Sequence, residues 1–400
     1  MRHVYLDHQS ATPVLPEVLA AMQPFFRESF GNPSSLHHHG LFARDALEKA
    51  RAQIAALIHA ESPDEIIFTS DGTEAMNLAV KGAALANRRN GNHLILSATE
   101  HPAVLASAQF LETQGFTCTR VKVNAEGMVA LADVGAAITD QTILISIHHT
   151  NHEIGAIQPL REIGELARDR GILFYVDAEA AAGWLPVDVQ HCHASFLSFS
   201  PHRFYGPKGV GVLYQNHRAR LAPIIQGGDQ ENGRRAGVEN VPAIVGAGLA
   251  AEIAQRDLDA RRSHCSRLQT RLWDGLHGKI SHLKLNGPEL GPHRHPANLH
   301  ISAEFIEGES QLLLCDMHGM AVASGSSCVS KSREISHVLA ALGLPPARAR
   351  ASILLSLGAD NTDDDVEYFL ETFPKIVAKL RALSPTWAEF EKSTNPSRRW

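Results

Sequence analysis

Between residues 65 and 214 the chain alternates short, almost wholly apolar runs with longer stretches whose apolar positions recur every three to four residues. The runs fall at 65–69, 93–96, 142–146, 172–176, 196–199 and 209–214. Their length and their Ile, Leu, Val and Phe content predict strands buried on both faces. The stretch 160–170 puts Leu160, Ile163 and Leu166 on one helical face. Apolar strands alternating with helices predict an α/β unit, a mostly parallel sheet covered on both sides, which takes its ligands at the carboxyl ends of the strands.

The pattern then changes. Charged or Pro-rich stretches at 256–263 and 286–296 predict breaks. After the second come a strand (297–302), a helix (308–318), a strand (320–324), a helix (335–342), a strand (351–357) and a long helix (362–383). This reads as a smaller α+β domain, so that 15–258 forms a large domain and 1–14 plus 259–400 the small one. No repeat is present, and only 392–400 reads as a frayed tail.

Composition narrows the function. The length of 400 residues and 44% hydrophobic content suit a globular protein with one large core and one smaller. No apolar run reaches the roughly 18 residues of a membrane span and no signal-peptide order opens the chain, so a cytoplasmic protein is expected. The net charge of −6, with basic residues scattered, gives no nucleic-acid or membrane surface. Five cysteines show neither paired CxxC spacing nor an even framework, which fits a reducing compartment. Histidine is abundant, at 23 residues, but the clusters His37-His38-His39, His148-His149 and His191-Cys192-His193 match no standard zinc spacing, and no metal is predicted.

The polar residues of interest sit just past predicted strands. Ser70-Asp71-Gly72-Thr73-Glu74 follows the first, as a turn opening a helix whose free N–H groups suit a phosphate; a threonine there also serves simply as a cap. Thr99-Glu100-His101, then Thr150-Asn151-His152-Glu153-Ile154-Gly155, then Asp177 follow the next three. Alone, an aspartate at a strand end is more often a helix cap than a catalyst. The set gains meaning from Ser198-Phe199-Ser200-Pro201-His202-Arg203-Phe204-Tyr205-Gly206-Pro207-Lys208-Gly209.

In order and spacing these segments resemble the class V branch of fold-type I pyridoxal-phosphate (PLP) enzymes, and within it the cysteine desulfurases. Tyr5-Leu6-Asp7, Gly31-Asn32-Pro33-Ser34-Ser35, Asn151 to Gly155, Gly206 to Gly209 and Ser324-Gly325-Ser326-Ser327-Cys328 are all similar to that family. The resemblance implies a seven-stranded, mostly parallel sheet and a homodimer. It implies that His101 stacks on the pyridine ring as a catalytic residue, that Asp177 pairs with the ring nitrogen, and that Asn151 faces the ring hydroxyl. Thr73, Ser200 and His202 would hold the phosphate. Cys328, also catalytic, would take sulfur from substrate and carry it as a persulfide.

Several positions depart from the family. Its Schiff-base lysine directly follows the histidine of the Ser-x-His-Lys motif, where Arg203 stands here. A guanidinium stays protonated and delocalised and makes no imine. Lys208 belongs to the glycine turn, where the family has a lysine besides the cofactor one. The substrate-carboxylate arginine aligns with Leu354, the ring-hydroxyl glutamine with Ala180, the phosphate threonine that crosses the dimer with Val238, and the arginine of Glu-Arg-Gly with Asn232, while Arg235 remains. The expectation is a desulfurase-like protein of sulfur transfer, in iron–sulfur or thio-cofactor assembly, with conventional activity absent or very low. It would use Cys328 as carrier, with a sulfur-acceptor or scaffold protein as partner. Two readings stand beside it: a non-catalytic homologue binding partners such as an active desulfurase paralogue, and an enzyme holding PLP or pyridoxamine phosphate without a covalent bond.

Overall fold

The computed structural model describes residues 2–324 and 335–394. Cys328 therefore lies outside the described residues.

The strands, in chain order, are β1 (Val4–Tyr5), β2 (Ile66–Thr69), β3 (His93–Ser97), β4 (Thr117–Val121), β5 (Thr142–Ser146), β6 (Leu173–Asp177), β7 (Phe196–Phe199), β8 (Gly211–Gln215), β9 (Leu283–Leu285), β10 (Asn298–Ala303), β11 (Met320–Ala321) and β12 (Ser352–Ser356). Seven of them form one sheet in the order β2-β8-β7-β6-β5-β3-β4. Within it only β8 runs antiparallel to its neighbours. The carboxyl ends of β2, β3, β5, β6 and β7 thus share one edge, and the polar segments that directly follow those five strands issue from it. Helices cover both faces because β3, β5 and β7 are buried along their whole length, leaving neither face for water.

β12, β10 and β9 form a smaller antiparallel sheet, and β1 pairs with β11. The first residues of the chain thereby attach to the small unit. Its helix Asp363–Ala382 is fixed at its start by a capping box between Thr362 and Asp365.

The break expected at 256–263 is not one. Residues Val241–Lys279 form a single helix that runs through it. Most of its charges lie on the solvated side, where Arg256 pairs with Asp257 at 2.7 Å and Arg262 with Asp259 at 3.4 Å, while Arg261 is buried over the Tyr205 ring. Its apolar side passes from one core to the other: Ala243, Ile244, Ala247 and Ala251 pack in the large core, and Cys265, Leu268, Leu272 and Leu276 in the small one. Pro385–Thr394 is helical and holds Trp387 and Phe390 against Phe305, reaching the first residues of the expected tail, of which 395–400 lie outside the described residues. The strand expected at 320–324 is shorter, ending at Ala321, although Ala323 still bridges to Leu354. Among the described residues no helix is long and apolar enough to cross a membrane.

Candidate functional site at the strand ends

Asp177 ends β6 and is buried. Its Oδ1 accepts the backbone N–H of Glu179 at 2.9 Å, which turns the chain sharply and sends the Glu179 side chain back across the sheet edge. Burial pushes the Asp177 carboxyl well above the usual carboxylate range, and the neighbouring Glu179 adds to the push. Glu179 is itself buried and raised for the same first reason, against the pull of the Arg203 guanidinium. Glu179 Oε1 accepts from the Ser200 hydroxyl at 2.8 Å, and Oε2 faces Arg203 Nε at 3.7 Å. Neither Oε2 nor Nε has a hydrogen bond, although both atoms are buried. Two buried carboxyls thus share one guanidinium.

Arg203 closes a short 3-10 turn, Pro201–Arg203, beyond β7. That turn is gripped from both sides. The Thr12 hydroxyl donates to His202 O at 2.9 Å and accepts Tyr205 N–H at 2.6 Å, while Trp184 Nε1–H donates to Arg203 O at 2.8 Å. Tyr205 takes a positive φ of 73° to leave the turn, a conformation these contacts hold in place. Lys208, by contrast, is exposed.

His101 caps the helix Pro102–Thr113, its Nδ1 accepting Ala103 N–H at 3.1 Å. That bond leaves the proton on Nε2. Burial, with the Arg203 and His337 charges beside it, lowers its pKa to about 4, so the ring is neutral at physiological pH. Its ring meets His152 edge-on at 5.3 Å between centroids, and His152 lies 6.4 Å from His337. Below them, Glu100 is buried, accepting His148 N–H at 2.8 Å through Oε1. Asn151 is mostly committed to the fold: its oxygen takes the N–H groups of Glu153 and Ile154, and its amide donates to Thr99 O at 3.1 Å. One amide hydrogen remains for a ligand.

Gly72 opens the helix Gly72–Asn77 behind β2, with Asp71 as its cap. A Cβ at Gly72 would overlap Glu179 Oε1 and crowd the Ser200 hydroxyl, so the carboxylate lies directly against this turn. Thr73 beside it is exposed, and His202 is half-buried with its pKa lowered to about 4 by burial and by the Arg203 and Lys208 charges. Leu354 is buried in β12. Val238 is 61% exposed, on the loop that carries Asn232.

The structure therefore brings His101, Asp177, Ser200, His202 and Arg203 to one sheet edge, with Thr73 and Asn151 at its margins. Sequence reasoning missed Glu179 altogether. It passed over Glu100, His152 and His337 as functional candidates. Of the described cysteines only Cys118 is even partly exposed, while Cys192, Cys265 and Cys315 are buried. Burial raises Cys118 to about 11 and each of the other three to about 12. Glu61, Glu65 and His217 approach one another elsewhere on the surface, but Glu65 already accepts N–H groups from Glu61 and His217.

Residues 4–369 match the aminotransferase class-V family. The chain is 45% identical over 392 residues to cysteine desulfurase IscS of Clostridium botulinum strain Hall, covering 98% of each chain. It is 46% identical over 382 residues to cysteine desulfurase IscS of Methanosarcina thermophila, covering 96% of this chain and 94% of the relative. A solved NifS-like protein superposes with a TM-score of 0.89 at 34% identity, over 95% of this chain and all of the other. A sheet of this order, its polar residues gathered at one edge and matches that run the length of the chain lead to one assignment: the chain belongs to the pyridoxal-phosphate-dependent class-V aminotransferase family, among the cysteine desulfurases.

Proposed function

We propose that the protein serves sulfur transfer as a desulfurase-family carrier without conventional PLP-dependent turnover, and that Cys328 bears the sulfur. The observation that carries this reading is the guanidinium of Arg203, in a turn held by Thr12 at His202 O and by Trp184 at Arg203 O, and set against buried Glu179. On the family alignment Arg203 has the place of the lysine that anchors the cofactor. Other positions keep the residue types that the family resemblance assigns to PLP: Asp177 for the ring nitrogen, His101 for stacking, and Thr73, Ser200 and His202 for the phosphate. Covalent capture is what the donor set does not fit, since an arginine offers no amine to the cofactor aldehyde. No step through the cofactor is assigned to this chain.

A carrier needs only thiol chemistry. The Cys328 thiolate attacks the outer sulfur of a persulfidated donor thiol; the new S–S bond forms as the donor's S–S bond breaks, and the donor leaves as thiolate. No oxidant enters. Lys331 and Arg333 follow Cys328 closely in sequence and favour its thiolate form. The described cysteines are disfavoured by the same rule, because burial keeps each of them protonated.

Brief exposure of the whole chain to iodoacetamide, or to a persulfide donor, followed by peptide mass spectrometry, is expected to place the label first on Cys328. Labelling of Cys118 or Cys265 ahead of Cys328 removes the carrier role and favours the non-catalytic partner-binding reading. A homodimer goes with this function: Val238 stands exposed on the loop that in the family reaches the neighbouring pocket. Light scattering at micromolar concentration reads it, and a monomer contradicts it. The large domain of 15–258 and the small one of 1–14 plus 259–400 would then meet within the helix Val241–Lys279.

A further inference from the structure

Glu179 has no part in the family's cradle as aligned above, yet it lies at that cradle's centre. Its Oε1 rests against Gly72, at the first turn of a helical run that continues from Gly72–Asn77 through Leu78–Gly82 to Ala83–Asn87, and takes the hydroxyl of Ser200 at 2.8 Å. The other oxygen, buried and without a hydrogen bond, points to Arg203. A helix N-terminus and a serine hydroxyl converging on one oxyanion is how proteins hold a phosphate. Here the oxyanion is supplied by the chain itself, with the guanidinium as its counter-charge.

We infer that the Glu179 carboxylate is a built-in anion filling the phosphate position between Gly72 and Ser200, so that the site refuses phosphorylated ligands by charge and by volume whether or not they can bond covalently. The inference rests on the assignment of the phosphate cradle in the proposed function, but not on the identity of residue 203. It goes further than the loss of a covalent anchor, because it closes the site also to pyridoxamine phosphate, which needs no lysine.

The pair has two consequences for binding. A phosphate entering the cradle meets a like charge in a low-dielectric setting and must also displace the carboxylate from Ser200. Removing Glu179 reverses both effects and frees Arg203 from one of its two buried carboxyl neighbours, so that its charge can face the phosphate in the vacated cradle.

Pyridoxamine phosphate is the probe, titrated into the native full-length chain and into E179A, with tryptophan fluorescence as readout because Trp184 touches the Arg203 segment. E179A is expected to bind at least tenfold more tightly than the native chain, and pyridoxamine without its phosphate is expected to show no such gain. E179Q keeps the volume and deletes the charge; it is expected to shift affinity in the same direction by a smaller factor, and it decides the matter if E179A does not fold. Equal affinities in native chain and variants, or an equal gain for the unphosphorylated ligand, overturn the inference. The outcome is separable from the reading of Arg203, since pyridoxamine phosphate carries an amine in place of the aldehyde and forms no imine with any residue at position 203.

Discussion

Supplied with pyridoxal phosphate and L-cysteine, the native chain is expected to release sulfide at the rate of a protein-free control. Two independent features lead there. Arg203 presents a guanidinium and no amine, so the aldehyde of the cofactor finds no partner at that position. Substrate binding is expected to fail separately, because Leu354 is apolar and 4% exposed in β12, at the position that the family resemblance gives to the arginine for the substrate carboxylate. A lost charge-assisted pair at a desolvated site costs about 2–5 kcal/mol, and about 1.4 kcal/mol is a factor of ten. R203K alone is therefore expected to stay about 30- to 4,000-fold below an ordinary desulfurase, since Leu354 is unchanged and a deficit of about 2–5 kcal/mol is about 1.4–3.6 decades. Robust sulfide release by the native chain contradicts this account; release by R203K at the rate of an ordinary desulfurase removes the part assigned to Leu354.

A second large effect concerns stability. Glu231 to alanine is expected to lower unfolding free energy by about 3–5 kcal/mol, the cost of breaking a buried ion pair from one side, since Arg51 keeps only the half-exposed Glu48 at 3.1 Å as a charged partner. Arg51 donates to both oxygens of Glu231, at 2.7 and 2.9 Å, and also to Ile66 O, while Phe68 N–H donates to Glu231 Oε2 at 3.1 Å. Both side chains are buried, and the guanidinium lies over the Phe68 ring at 4.9 Å. The glutamate reaches them only because Glu231 and Asn232 hold positive φ values of 50° and 56°. An asparagine tolerates that conformation better than most residues, which gives Asn232 a local reason to stand there. Urea denaturation followed by circular dichroism measures the effect. The double variant R51M/E231L should lose less than the sum of the two single changes, because it leaves no unpaired charge. A loss below about 1 kcal/mol for Glu231 to alanine would mean that the pair does not anchor the loop.

Most of the large sheet was legible in the sequence because strands buried on both faces are written as unbroken apolar runs. The polar segments after them were legible as a set for the same reason, since the strand ends say where they converge. Thr117–Val121 escaped notice because it is an edge strand with exposed, polar positions and no run to see. The helix Val241–Lys279 was cut in two by reading charge density as a break, where the spacing of Cys265, Leu268, Leu272 and Leu276 continues a helical face. Glu179 was hidden differently. Within Ala178-Glu179-Ala180-Ala181-Ala182 it reads as one more helical residue, and only the turn made by Asp177 Oδ1 with its N–H carries it into the site. A charged residue amid small ones directly after a buried strand was the available signal. The roles given to His101 and Asp177 came from the family resemblance; the neutral state of His101 follows from burial beside Arg203, which no spacing reveals.

The central claim is that Arg203 leaves the site unable to hold the cofactor covalently. Intact-mass spectrometry of the native chain, incubated with excess pyridoxal phosphate and then reduced with borohydride, tests it most directly: the account predicts an unmodified mass at the site, with any trace adduct mapping to exposed lysines such as Lys208 in substoichiometric amount, whereas one stoichiometric phosphopyridoxyl group per chain on a single pocket residue would contradict it.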